Sequence, residues 1–281
     1  MPVQPLLAVD GDSLAHRAYH ALPASIKDAG GAQANMLVGF ANMLLTVFEA
    51  ERPRAVFVGF DTIGEPTYRH ELLEVYQAGR DFPPVLTNQL DKLPELVESL
   101  GFAWAKEPGY EADDFLAAAV EREHEASRPT LVLTSDRDLF QLASNLTTLI
   151  MPVKGVSEMK RIGPAEVRER YGVDPEQVPD LIALRGDPSD RIPGAKGIGE
   201  KRAATILQVH ETLDAAIENG LFREQEEKLR LYLRIARLQY HAPVPELPDM
   251  EPDFERGAGL AERWGLNRLA ERLRGLAAGV A

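Results

Sequence analysis

The chain contains no cysteine, which removes disulfides, thiolate catalysis and cysteine-ligated zinc or iron–sulfur sites together. It also lacks an apolar run of the about eighteen residues needed to cross a bilayer. No basic region followed by an apolar core and a small-residue cleavage site opens it, so a cytoplasmic protein with no membrane partner is expected. Positive charge is scarce: 31 lysines and arginines stand against 44 acidic side chains, a formal charge of −13. Taken as an average, that deficit opposes a polyanionic partner, whose phosphates are bound through lysine and arginine. The average misleads where acids cluster, because divalent cations bound among them invert the sign of the local field. No internal repeat or low-complexity linker interrupts the 281 residues, a length that fits one large domain or two small ones.

Three apolar runs read as buried parallel strands, and each runs into an aspartate: LLAVD at Asp10, AVFVGFD at Asp61 and TLVLTSD at Asp136. Helical periodicity over 33–51, 90–100 and 112–125 separates them, so the expected fold is α/β, a mainly parallel sheet flanked by helices. Ligands of such sheets bind beyond the carboxyl ends of the strands, so the three aspartates should converge on one crevice. Past residue 160 the strand signal fades. Short helices are expected at 163–171, 175–185 and 198–208 and longer amphipathic ones at 221–238 and 258–276, with an extended proline-rich connector at 241–254. The chain is therefore divided into a catalytic α/β part, 1–160, and an all-helical part, 161–281.

More acids lie outside the strand ends. GYEADDFLAAAV places Glu111, Asp113 and Asp114 in the first turn of a helix, where capping and dipole compensation also explain them. TSDRDLFQL adds Asp138, for which a helix cap would suffice, and RGDPSDRIPG adds Asp187 and Asp190 around a proline, where a turn would. Each is ordinary alone, but convergent carboxylates repel one another unless cations sit among them. An acid-rich set without cysteine or a histidine cluster suits hard ions such as Mg²⁺ or Mn²⁺. Two such ions about 4 Å apart serve phosphodiester hydrolysis. LLAVDGDSLAH also admits a rival: Asp10 and Asp12 resemble the nucleophile and acid of haloacid-dehalogenase-type phosphatases, with LVLTS and GDPSD as partial matches to their later motifs. That reading leaves Asp61, Glu111, Asp113 and Asp114 without a role.

IPGAKGIGEKRAATIL, residues 192–207, sets Gly194, Gly197 and Gly199 ahead of an apolar-periodic helix, with Lys196, Lys201 and Arg202 beside them. A glycine turn entering a helix lets backbone N–H groups approach a phosphate, with the positive end of the helix dipole behind. This is helix-hairpin-helix logic, which grips a DNA backbone without reading bases. A non-catalytic DNA-binding module would use the same hairpin, but the acids would then repel its ligand to no purpose.

Taken in order from about residue 5 to 210, VDGDSLAHRAYHALP, YRHELLEVYQAGR, GYEADD, TSDRDLFQL and LRGDPSDRIPGAKGIGEKRA resemble the successive motifs of the bacterial 5′-nuclease family. That family comprises the 5′-to-3′ exonuclease domain of DNA polymerase I and free-standing flap endonucleases. The resemblance implies a PIN-like catalytic domain, a helical arch within 62–88 and a helix-three-turn-helix region with its hairpin at 192–202. It implies a structure-specific 5′ nuclease, both 5′–3′ exonuclease and flap endonuclease, acting as a nucleoid-associated monomer on flapped, branched or nicked DNA in replication and repair. Asp10, Asp61, Glu111, Asp113 and Asp114 would hold one divalent ion and Asp136, Asp138, Asp187 and Asp190 the second, with K⁺ at the hairpin. Asp12 is left as a turn or cap residue. In the arch, Tyr68, Arg69, Tyr76 and Arg80 suit stacking on bases and tracking a single strand, with Arg80 and Arg69 contacting the phosphate. Gln77 departs from the family, which has a lysine there that reaches toward the scissile phosphate. Glutamine donates a hydrogen bond without adding charge, so a slower but active enzyme is expected. Arg191, where many relatives carry asparagine, is a milder departure.

Overall fold

In the computed structural model, which describes residues 3–79, 82–154 and 158–280, the apolar runs pair into one sheet of order β3-β2-β1-β4-β5-β6. The strands are β1 (Leu6–Asp10), β2 (Ala55–Gly59), β3 (Ala103–Ala105), β4 (Thr130–Leu133), β5 (Thr147–Lys154) and β6 (Glu158–Ile162). All neighbours run parallel except β6, which pairs antiparallel with β5. β1, β2 and β4 are buried along their whole length, as strands covered on both faces must be. Alternate side chains serve opposite cores: Leu6, Ala8, Phe57 and Val132 enter one, and Leu7, Val9, Val58 and Leu133 the other.

Thirteen helices accompany the sheet among the described residues: α1 (Gly11–Ala21), α2 (Asn35–Glu51), α3 (Tyr68–Leu72), α4 (Pro84–Leu90), α5 (Leu93–Ser99), α6 (Ala112–Glu125), α7 (Pro164–Tyr171), α8 (Val178–Arg185), α9 (Glu200–His210), α10 (Leu213–Glu218), α11 (Glu226–Ala236), α12 (Phe254–Arg263) and α13 (Asn267–Val280). The first core takes α6 to α11, and the second takes α1, α2, α4, α5, α12 and α13. The expected arch comprises, among the described residues, the short α3 and α4 and the turns that precede and follow α3.

Two expectations about organisation change. The division at 160/161 falls inside β6, an edge strand whose charged, largely exposed residues carry no apolar run to reveal it. The helices after it do not form one unit either. Phe254, Ala258, Leu260 and Ala261 of α12 are apolar and bury against α5, which carries α12 and α13 back to the second core. The extended segment before them runs along the sheet as a strap: Arg54 Nη1 donates to Leu247 O at 2.7 Å, and Met250 N–H donates to Arg54 O at 2.9 Å.

The chain leaves β1 toward β2 on one side, while β4 and β5 lie on the other. The crevice beyond β1 and β4 is therefore the topological switch point of the sheet, the place where such folds accept ligands.

Candidate active site

Backbone donors fix the acids around that crevice. Asp10 ends β1 and caps α1: Ser13 N–H donates to its Oδ1 at 3.0 Å and the Thr134 hydroxyl to its Oδ2 at 2.7 Å. Asp12, expected as the cap, instead accepts Asp61 N–H at 2.7 Å, and Asp61 in turn accepts Ala112 N–H at 2.7 Å. This chain of bonds ties the start of α1 to the end of β2 and the start of α6. Past β4, Asp136 N–H donates to Thr134 Oγ1 at 2.9 Å, and Asp136 Oδ1 accepts Asp138 N–H at 2.8 Å. After α8, Asp187 Oδ1 accepts Ser189 N–H at 2.7 Å and the Ser189 hydroxyl. The result is a cleft of about 1280 Å³ lined by Asp10, Asp12, Asp61, Glu111, Asp113, Asp136, Asp138, Asp187 and Asp190.

Burial and mutual repulsion push these carboxyls upward. Asp10 rises from 3.8 to about 7, mainly through burial, with Asp136 and Asp61 adding and the bonds from Thr134 and Ser13 opposing. Asp113 rises well above the ordinary value through burial and then through Asp136, Asp10 and Asp61. Asp138 does so through burial and then Asp136, Asp187 and Asp190. The acids thus fall into two electrostatic groups with Asp136 acting on both. Among the described residues no three acidic or histidine side chains close around a single point. An all-carboxylate donor set, crowded and reluctant to ionise alone, fits hard divalent cations better than soft or imidazole-loving ones.

Three expected site residues are placed otherwise. Asp114 does not line the cleft: it is fully buried and receives the Arg69 guanidinium in a bidentate pair at 2.9 and 2.8 Å. Arg69, expected on DNA, is spent inside the protein on that pair. Tyr76, expected to stack on bases, is 2 % exposed, with its hydroxyl donating to Glu111 at 3.1 Å and Asp190 at 3.3 Å. The physical reason is common to all three: the base of the arch folds onto acids that would otherwise be buried without partners. Gln77 does reach the cleft, with left-handed backbone (φ 48°), and its amide donates to Tyr76 Oη at 3.0 Å and Asp190 Oδ1 at 3.1 Å. Arg80 lies outside the described residues.

Sequence reading missed Arg137 and Arg185, which line the cleft, and left Asp12, which also lines it, as a turn or cap residue. Arg185, the last residue of α8, pairs with Glu200 at 2.8 Å and stands 3.9 Å from Asp187. Its position directly ahead of the GDPSD turn was the available signal.

The hairpin lies beside the cleft and not in it. Gly194 (φ 72°) packs so closely that a Cβ there would stand 2.4 Å from Gly186 N, whereas Gly197 and Gly199 have open space. Gly199 caps α9 without a side chain, which leaves the first N–H groups of that helix to an outside acceptor. Lys196, Lys201 and Arg202 are exposed and make no ion pair among the described residues. Lys196 N–H donates to Gln225 Oε1 at 2.9 Å, which fixes the loop to the approach of α11.

A mostly parallel sheet with a carboxylate cleft at its switch point, continued by helices that present a glycine hairpin, defines an α/β protein with a helical appendage. Residues 5–172 match the 5′-3′ exonuclease N-terminal resolvase-like domain and residues 173–253 the 5′-3′ exonuclease C-terminal SAM fold, so the chain belongs to the 5′-3′ exonuclease family. It is 43% identical to DNA polymerase I of Mycobacterium leprae over 217 residues, 76% of this chain and 24% of that protein. It is 37% identical to the thermostable DNA polymerase I of Thermus thermophilus over 283 aligned positions, 95% of this chain and 32% of that protein. The chain therefore spans a quarter to a third of these curated relatives. In fold it is similar to the bacteriophage T5 flap endonuclease, solved with DNA and metal ions, at TM-score 0.71 and 20% identity over 98% of this chain and 99% of that one. It is also similar to the catalytic core of Rad2 in complex with DNA substrate, at TM-score 0.63 and 15% identity over 99% and 93%.

Proposed function

We propose that the chain hydrolyses DNA phosphodiester bonds as a divalent-metal-dependent, structure-specific 5′ nuclease, with 5′–3′ exonuclease and 5′-flap endonuclease action in replication and repair. The observation that carries this reading is the carboxylate-lined cleft, in which Asp136 raises Asp10 and Asp113 and also Asp138. Asp10, Asp61, Glu111 and Asp113 would hold one ion, Asp138, Asp187 and Asp190 the other, with Asp136 facing both. When bound, Mg²⁺ or Mn²⁺ ions would supply a water of lowered pKa and offset charge on the leaving oxygen. Both oxygens of Asp10 already accept hydrogen bonds, which suits a fixed ligand better than an attacking nucleophile and disfavours the phosphatase alternative.

The remaining work falls to groups of the chain itself. The Tyr76 hydroxyl spans Glu111 and Asp190 and so holds one acid of each group in register. Gln77 would donate to a substrate phosphate beside Asp190 on giving up one of its bonds to Tyr76 and Asp190. The first N–H groups of α9, with Lys196, Lys201 and Arg202, would hold the duplex backbone, and K⁺ at the glycine hairpin belongs to the same element. Residues 1–160 supply most of the acids, and the part after 160 supplies Asp187, Asp190 and the grip on DNA. The substrate is the flapped, branched or nicked DNA of the nucleoid.

The test is cleavage of an end-labelled 5′-flap duplex in Mg²⁺, Mn²⁺ or EDTA, with product lengths read on a denaturing gel. Metal-dependent cuts at the flap junction are expected, and Asp136→Ala and Asp187→Ala should remove them while sparing DNA binding. Normal turnover by both variants would end the two-metal assignment.

A further inference from the structure

We propose that Arg69 is a positioning residue for the metal-binding cleft, which sets Glu111 and couples it to the chain leaving α11. The inference rests on the reading of the cleft as a divalent-metal site. Arg69 is 4 % exposed, so it meets neither solvent nor DNA. Every edge of its guanidinium is used: Nη1 and Nη2 bond Asp114 at 2.9 and 2.8 Å, Nη1 stands 3.2 Å from Glu111 Oε2, and Nε donates to Ile235 O at 3.1 Å. Asp114 closes the arrangement from the other side, accepting Glu111 N–H at 3.1 Å and Gln239 N–H at 2.9 Å. Three segments far apart in sequence thus meet at one ion pair: the base of the arch, the start of α6 and the exit from α11.

A pair needed only for folding would be complete with Asp114. Arg69 reaches past it to a carboxylate that faces the cleft, and it does so from the segment that also supplies the other two donors to Glu111. Those are the Thr67 hydroxyl at 3.0 Å and the Tyr76 hydroxyl at 3.1 Å. Glu111 caps α6, and its carboxylate is held in addition by three side chains of residues 67–76. A buried ion pair is a weak source of stability but a strong constraint on geometry. Lysine would keep the charge and lose the planar fork that serves two carboxylates at once.

The test compares the full chain with Arg69→Lys. Mn²⁺ is titrated without DNA and free Mn²⁺ is read by electron paramagnetic resonance; flap cleavage is measured separately. Outer-sphere partners of metal ligands typically change metal affinity by about ten- to a hundredfold. We expect R69K to melt cooperatively, to bind Mn²⁺ more weakly by that factor, and to lose kcat with the KM for flap DNA unchanged. Equal Mn²⁺ affinity in R69K and the parent would overturn the inference while leaving the nuclease reading intact. A parent chain that neither binds Mn²⁺ nor cleaves would instead end the nuclease reading. Should R69K not melt cooperatively, Asp114→Asn, which keeps the shape and removes the charge that orients Arg69, carries the same readout. Loss of the transition in both would overturn the inference by making the pair a determinant of the fold.

Discussion

Acidification from pH 8 to pH 5 should stabilise the metal-free protein, and divalent metal should abolish that dependence. Folded, Asp10 keeps its proton up to about 7, because burial penalises the carboxylate and Asp136 and Asp61 repel it; its ordinary value is 3.8. The folded state therefore binds more protons than the unfolded state throughout that window. Stability from this group is fully present below 3.8 and is lost as the pH rises through 7. The whole displacement corresponds to about 4 kcal/mol, of which roughly 3 kcal/mol falls between pH 5 and pH 8. Asp12, Asp113 and Asp138 are displaced the same way and act in the same sense. At about 2–4 °C per kcal/mol for a chain of this size, the melting temperature should fall by on the order of 10 °C over the window. The assay is thermal denaturation in EDTA at pH 5, 6, 7 and 8, repeated with Mn²⁺. A melting temperature in EDTA that stays flat or rises with pH would refute the crowding of carboxylates. An equal fall with and without metal would refute the claim that metal binds among them.

Gln77→Lys should raise the cleavage rate by about five- to tenfold, the difference between a neutral and a charge-assisted contact to phosphate, read in single-turnover kinetics; an unchanged rate would remove Gln77 from the phosphate's path. Arg137 lines the cleft and makes no ion pair among the described residues, so Arg137→Ala should weaken flap-duplex binding and lower the slope of log affinity against log salt by about 1. Gly194→Ala meets both a positive φ and a Cβ position 2.4 Å from Gly186 N, and should cost at least ~1–3 kcal/mol in urea unfolding. Gly199→Ala, in open space at φ −99°, should leave stability nearly unchanged.

The central strands and the acids at their ends were legible because fully buried parallel strands write unbroken apolar runs, and a charge at the end of such a run stands out. β3 escaped notice with only three residues, Ala103–Ala105, and β6 because an exposed edge strand is charged along its length. The side chains misplaced by sequence reasoning share another cause. Arg69 and Asp114 are 45 positions apart, and nothing local distinguishes an arginine that will be buried against a carboxylate from one that will face DNA. Residue types announce what chemistry is available, whereas partnership is settled only when the arch base packs over α6. Asp12 shows the converse. Two residues past a strand-end aspartate it reads as a cap, yet Asp10 takes that role itself and frees Asp12 to hold the backbone of Asp61.

The same packing answers the objection that a chain of charge −13 should avoid DNA. Ten acidic side chains, Glu65 among them, and two arginines line the cleft, so a formal −8 of that formal −13 gathers in one place. The rest of the molecule is then only mildly acidic, and its hairpin presents Lys196, Lys201 and Arg202 to solvent with no ion pair among the described residues. On the proposed function, charge is thus separated: the hairpin would hold phosphates where they are welcome, and the cleft would repel them until cations enter. A substrate held first at the hairpin would meet a cleft whose affinity for phosphate is set by its metal content, which makes divalent cations a condition of entry as well as of chemistry.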